Sequence, residues 1–157
     1  MTVQDRLEAL GLVLPEPAAA VANYVPFVRS GNLVSISGQL PLSGGKPVTG
    51  KLGRDLDTPA GVEAARHCAV NLIAQIKAAA EGDLDRVRRI VRLGGFVNSA
   101  DDFTEQPQVI NGASDLMVDV FGEAGRHSRS AVGVNTLPLG AAVEIDALVE
   151  LEPFPII

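Results

Sequence analysis

The chain has no tryptophan, one tyrosine and one cysteine. Each scarcity removes a class of function. A lone cysteine, Cys68, excludes an intrachain disulfide framework and any cysteine-only metal cluster. With 4% aromatic residues there is little on which a nucleic-acid base could stack. A net charge of −6 opposes nucleic acid further, because that binding rests on Lys and Arg neutralising phosphates. No apolar run approaches the ~18 residues needed to span a bilayer, so no membrane partner is expected. The start, Met1-Thr2-Val3-Gln4-Asp5-Arg6-Leu7-Glu8, has neither the basic nor the apolar region of a signal peptide, which predicts a cytoplasmic location. G-x-G-x-x-G, Walker A, H-E-x-x-H and G-x-S-x-G are all missing. The two histidines, His67 and His127, are far apart and have no neighbouring ligand pattern, so no metal is expected.

What is present fits one domain of 157 residues, long enough to bury a core unaided. Residues 4 to 11 read as a short helix, stopped by Pro15 and Pro17, and residues 18 to 23 read as a linker. Val25 to Arg29 and Leu33 to Ser37 read as strands around the turn Ser30-Gly31-Asn32. Ser37-Gly38-Gln39-Leu40-Pro41 is expected to leave the sheet, and the Gly- and Pro-rich stretch 43 to 57 is a loop with a short strand near Pro47. Thr58 to Glu81 is the strongest helix, with Thr58 as its cap and Pro59 in its first turn. Its stripe is Val62, Ala65, Ala69, Leu72, Ile73, Ile76 and Ala80. Cys68 beside that stripe reads as a packing residue, and His67 as a solvated one. Ile90 to Val97 is a strand whose Gly94 and Gly95 permit a bulge or a close approach by another chain. The basic run Arg86, Arg88, Arg89 and Arg92 before and within it reads as a solvated face. Pro107 opens a second helix with the stripe Val109, Ile110, Ala113, Leu116, Met117, Val120 and Phe121.

Arg129 to Asn135 and Ala141 to Leu151 then read as a final hairpin across Thr136-Leu137-Pro138-Leu139-Gly140. Arg129 begins its first strand, and Glu144, Asp146 and Glu150 follow at period two on the second. Arg129 with Glu144 or Asp146 is either a surface ion pair or the two ends of a polar site. A register slip of one residue would put Arg129 and Glu144 on opposite faces. The order of elements predicts an α+β two-layer domain, with a mixed sheet and two helices on one face. The small residues Ala131, Gly133 and Ala142 are expected on the other face, covered by another subunit.

Several short motifs in fixed order carry more than their sum. Asn23-Tyr24-Val25, Ser37-Gly38-Gln39-Leu40-Pro41, Asn111 on the second helix, Arg129-Ser130-Ala131-Val132, Leu137-Pro138 and Val143-Glu144-Ile145-Asp146-Ala147 together resemble the RidA/YjgF family of reactive-intermediate deaminases. The resemblance covers 23 to 150. It implies a domain over 23–157 preceded by an N-terminal helical extension and linker over 1–22. It also implies a chorismate-mutase-like fold assembled as a homotrimer, with clefts between subunits. The implied reaction is hydrolysis of enamines and imines of amino acids to a 2-oxo acid and ammonia, without metal or organic cofactor. By resemblance, Arg129 binds the substrate carboxylate and Glu144 orients water or shuttles its proton. Ala131 offers backbone contacts, and Tyr24 and Asn111 shape the pocket. Tyr24 also reads as a strand-edge aromatic, and Asn111 as a backbone cap. The family often has a cysteine where this chain has Ala131, so thiol chemistry is excluded there. The segments 4 to 11, 99 to 107 and 122 to 128 depart from shorter members. The alternatives are a non-catalytic trimer that binds small carboxylates, and an endoribonuclease, which the acidic charge disfavours.

Overall fold

Two helices lie side by side on one face of a five-stranded sheet, and each layer is built by its own periodicity. The computed structural model describes residues 1–20 and 22–153. Val21, in the expected linker, and the last four residues of the expected 23–157 domain lie outside them. The elements in order are α1 (Val3–Ala9), β1 (Phe27–Ser30), β2 (Leu33–Gln39), β3 (Leu42–Ser43), β4 (Lys46–Pro47), α2 (Thr58–Ala79), β5 (Val87–Asn98), α3 (Gln106–Phe121), β6 (Ser128–Val134) and β7 (Val143–Leu151).

Helix α2 begins one residue earlier than its Thr suggests. Asp57, in an extended conformation, is the cap, and its carboxylate accepts from the Ala60 N–H at 3.0 Å. The Thr58 hydroxyl is turned to Glu105, donating to its carboxylate at 2.9 Å. Aspartate is an equally good cap, and Pro59 still occupies the first turn, where its missing N–H costs little. The chain leaves α2 through Glu81 and Gly82, both at positive φ. The predicted stripe is buried except for half-buried Val62. Ala64, Cys68, Asn71 and Gln75 are buried too, so α2 is enclosed by the sheet and α3 over most of its circumference. The Cys68 thiol meets the Val143 carbonyl at 3.6 Å, and burial pushes its pKa well up, which leaves it inert. Every residue of the α3 stripe is buried. Leu7 of α1, 1% exposed, joins the same core.

The sheet runs β1-β2-β7-β5-β6, with only the β5–β6 pair parallel. This corrects the expected final hairpin. β6 and β7 never pair, because β5 lies between them. The segment 135 to 142 carries the chain past the end of β5, using a 3-10 turn at Pro138–Gly140. The helix α3 supplies the crossover that a parallel β5–β6 pair requires. Strand β2 does not leave the sheet at Ser37. It passes an irregularity between Ile36 and Gln39 and pairs again at Gln39↔Ile145.

Glycines 94 and 95 have a local reason. A Cβ at Gly94 would lie 2.4 Å from an Asp146 carboxylate oxygen, and one at Gly95 would lie 2.7 Å from Ile110. Each glycine lets one neighbour close in, on opposite faces. The irregularities in β5 fall earlier, between Val87 and Arg89 and between Ile90 and Arg92.

Ala131, Gly133 and Ala142 are not on the open face. Ala131 packs on the core, a Cβ at Gly133 would meet Gln106 and Ser99, and Ala142 is buried. Register places Ala131 and Gly133 with Gly95 and Val97, toward the helices, and Ala142 belongs to the same core. The open face instead presents Val28, Leu33, Ser35, Gly94, Phe96, Ser130, Val132 and the β7 row Glu144, Asp146, Leu148 and Glu150. Val28, Leu33 and Val132 are exposed apolar residues on it. Arg88, Arg89 and Arg92 are exposed, as expected for a basic run, but Arg86 is half-buried and donates to the Glu152 and Pro153 carbonyls. No helix among the described residues is long and apolar enough to cross a membrane.

Candidate functional site

The expected site residues divide between two places. The first lies where edge strand β6 passes α3. Leu93 is the register partner of Arg129 and points into the core, so Arg129 leans toward the helix layer. There its Nη1 donates to the Ser114 hydroxyl oxygen at 2.9 Å and its Nη2 donates to the Pro107 carbonyl at 3.2 Å. Pro107, Asn111 and Ser114 stand at i, i+4 and i+7, one face of α3. Exposed Asn111 therefore sits on the ridge to which Arg129 is tied. Ala131 follows Arg129 at period two on the same side. Among the described residues no carboxylate forms an ion pair with Arg129, which removes the reading of a structural pair with Glu144 or Asp146. Among the described residues, two of its five N–H donors are committed and three remain.

His127 completes this group. Its Nδ1 stands 2.6 Å from the Gly125 carbonyl and its Nε2 2.8 Å from the Ser114 hydroxyl. A carbonyl oxygen only accepts, so Nδ1 carries the proton. Burial lowers the pKa of His127, the Gly125 carbonyl opposes that, and the Arg129 charge adds to the lowering. The ring is neutral, Nε2 is an acceptor, and the Ser114 hydroxyl donates to it. Ser114 has no motif of its own. Only its helical spacing from Pro107 and Asn111 could have marked it in the sequence.

The second place lies at the other end of the sheet. Tyr24, half exposed, lines a cavity of about 140 Å³ with Ala18, Gly38, Leu40, Leu42 and Leu139. Gly38 also touches Glu144, since a Cβ there would lie 2.9 Å from the Glu144 carboxyl carbon. Glu144 is half-buried, and among the described residues it forms no ion pair. Burial raises its pKa, and the Asp146 charge raises it further. Asp146 is also raised, chiefly by burial, while the Gly94 N–H and Arg92 pull it back.

Arg129 and Glu144 do not meet within one chain. They occupy opposite faces of the sheet, on strands separated by β5. Two strand spacings across and three residues along place their backbones about 14 Å apart. Among the described residues no cluster of His, Cys, Asp and Glu could hold a metal.

A family model matches residues 4–151, that of the YjgF/chorismate mutase-like family, whose description adds a candidate endoribonuclease activity. The chain belongs to this family. Among its relatives is Protein TCP17 of Trypanosoma cruzi, 55% identical over 151 residues, 95% of this chain and 94% of that protein. A 2-iminobutanoate/2-iminopropanoate deaminase of Dermatophagoides farinae is 28% identical over 140 residues, 88% of this chain and 91% of its own length. The crystal structure of protein Atu1372 from Agrobacterium tumefaciens superposes with a TM-score of 0.90 at 54% identity, covering 96% of this chain and 92% of the other. The RidA/YjgF resemblance of the motifs thus extends over residues 4–151.

Proposed function

We propose that this YjgF-family chain hydrolyses imines or enamines of amino acids to a 2-oxo acid and ammonia, in a cleft completed by a second copy. The observation that carries the reading is Arg129, a half-buried guanidinium that is held in place yet has no carboxylate partner among the described residues. Such a fork suits a substrate carboxylate, which it binds through two parallel charge-assisted hydrogen bonds. The deaminase relative supports the same chemistry.

The reaction asks little else of the protein, because a C=N carbon is already electrophilic. Water adds to that carbon, giving up a proton as it does so. Starting from the N-protonated imine, this gives a carbinolamine. It expels ammonia once its nitrogen takes a proton, while the hydroxyl proton leaves to solvent and the C=O of the 2-oxo acid forms. Glu144 can accept the first proton and return the second, and its raised pKa brings it closer to the working range of such a shuttle. Since Arg129 and Glu144 face apart within one chain, the site needs Arg129 of one copy beside Tyr24, Gly38 and Glu144 of another. A homotrimer with inter-subunit clefts meets that need. It would also cover Val28, Leu33 and Val132 on the open face of the sheet. In such a cleft Asn111 and Ala131 stand on the Arg129 side. Endoribonuclease activity fits less well, given the net charge of −6.

The test is release of ammonia and 2-oxo acid from freshly generated imino acids of graded side-chain size. Acceleration over buffer supports the reading. Saturable binding of 2-oxo acids without turnover would replace it with a non-catalytic carboxylate binder.

Two variants probe Glu144. Glu144→Gln should lower kcat more than it weakens binding of a 2-oxo acid, and equal effects would count against a proton-shuttle role. The sign of the pH dependence follows from the raised pKa. Wild-type kcat should fall as pH drops through a value above the usual ~4.3 of glutamate, and the variant should lose that limb. Stability runs the other way. A raised carboxyl pKa means the fold favours the protonated form, so the contribution is present at low pH and lost as pH rises through the folded-state value. Glu144→Gln should therefore not lower the melting temperature at neutral pH. In Gly38→Ala, the new methyl displaces only the flexible end of Glu144. Its melting temperature should stay near wild type while kcat falls about tenfold or more, a part of the ~10²–10⁴-fold that a well-placed proton-transfer group supplies.

A further inference from the structure

We infer that Ser114 and His127 are positioning residues that hold the Arg129 guanidinium in its anion-binding orientation. The inference rests on the reading of Arg129 as the carboxylate site. A long arginine at a sheet edge has many rotamers, and fixing one of them costs entropy that the bound anion would otherwise have to supply. Here the orientation is set in advance by a directed chain of bonds. The Gly125 carbonyl fixes Nδ1–H of His127 at 2.6 Å. That tautomer leaves Nε2 as an acceptor and draws the Ser114 proton to it at 2.8 Å. With its proton so aimed, the Ser114 oxygen turns a lone pair to Arg129 Nη1 at 2.9 Å. Every bond in the relay has one possible direction, so no rotation of the hydroxyl can exchange donor for acceptor without breaking a bond.

The relay also joins separate pieces of chain. Ser114 belongs to α3, His127 to the turn before β6, and Arg129 to β6. The second anchor, the Pro107 carbonyl, lies at the start of the same helix. The guanidinium is therefore referenced to α3 at two points two turns apart. The Ser114–His127 bond is not needed to satisfy an isolated buried group, since both residues are only half-buried. Its effect is directional.

The experiment is the dissociation constant for 2-oxobutanoate in full-length wild type, Ser114→Ala, Ser114→Thr, His127→Phe, Arg129→Ala and the Ser114→Ala/Arg129→Ala double variant. Ser114→Ala keeps a good helix former in α3, so folding is not at issue. Ser114→Ala and His127→Phe should each weaken binding roughly tenfold, the worth of one well-placed hydrogen bond. Ser114→Thr keeps the hydroxyl and should restore most of the affinity. In the Arg129→Ala background, Ser114→Ala should have no further effect. If Arg129→Ala weakens binding but Ser114→Ala does not, the relay is refuted while the carboxylate site stands. An effect of Ser114→Ala that persists without Arg129 also refutes it, because the serine would then act on its own. Binding by Arg129→Ala equal to wild type overturns the underlying reading itself.

Discussion

Arg129→Ala should reduce kcat/KM for imino acids by two to three orders of magnitude or more while leaving the fold in place. The size follows from the chemistry of the fork. Two charge-assisted hydrogen bonds to a carboxylate contribute about 1.5–3 kcal/mol each, and each 1.4 kcal/mol is tenfold. The small structural cost follows from what Arg129 does not do. It neutralises no carboxylate among the described residues, so its removal strands no buried charge. Its acceptors are the Ser114 hydroxyl, which keeps His127, and the Pro107 carbonyl, at a solvent-accessible bond. A stability loss under about 1 kcal/mol is expected, as for most residues outside the core. Arg129→Lys should recover only part of the activity, since a point charge cannot match both carboxylate oxygens. The measurement is steady-state kinetics with calorimetry and sizing on the same samples. Loss of the folded or assembled state in Arg129→Ala would show that its bonds to α3 serve architecture first.

The helices were legible in the sequence because their signal is local. The α2 and α3 stripes repeat at helical spacing, and burial in the structure follows them closely. The pairing of the last two strands was not. Arg129 to Asn135 and Ala141 to Leu151 flank a Pro/Gly turn, which is the local mark of a hairpin. What separates them is β5, a strand some forty residues earlier, and no local pattern reports an inserted neighbour. The same blindness affected the site. Motif order nominated Arg129, Glu144, Tyr24 and Asn111, but which of them share a face depends on register across β5. Glu144 and Asp146 are separated from Arg129 by the sheet itself. Small residues misled for a related reason. Ala131 and Gly133 suggested close packing, correctly, but the partner is this chain's own helix layer. Ser114 was invisible because a serine in a helix has many uses, and only the position of Arg129 on the next strand gives it one.

Gly112→Ala should be among the most destabilising single-methyl changes in the molecule. Helix propensity alone predicts the opposite, since Ala is favoured over Gly in a helix interior by about 1 kcal/mol. Packing overrides it. A Cβ at Gly112 would lie 2.1 Å from the Val62 carbonyl oxygen and 3.0 Å from its carbon, both backbone atoms of α2. No rotamer change relieves such a contact. Relief requires the two helices to separate by about an ångström, which opens gaps through a close-packed core. The stripes that would part include Val109, Ala113 and Leu116, all fully buried. Overpacking of this kind costs about 1–3 kcal/mol and more where backbone must move. A net loss of about 2–4 kcal/mol is expected, or a fall in melting temperature of roughly 5–15 °C for a chain of this size. Asp115→Ala, on the exposed face of the same helix, is the control and should be neutral or slightly stabilising. The effect should reach function as well. Helix α3 carries both the Pro107 carbonyl and the Ser114 hydroxyl that hold Arg129, so a shifted α3 misdirects the guanidinium. At temperatures where Gly112→Ala remains folded, its affinity for a 2-oxo acid should therefore fall below wild type. Wild-type affinity and stability together would mean that the helices slide past the added methyl, leaving the Arg129 anchors where they were.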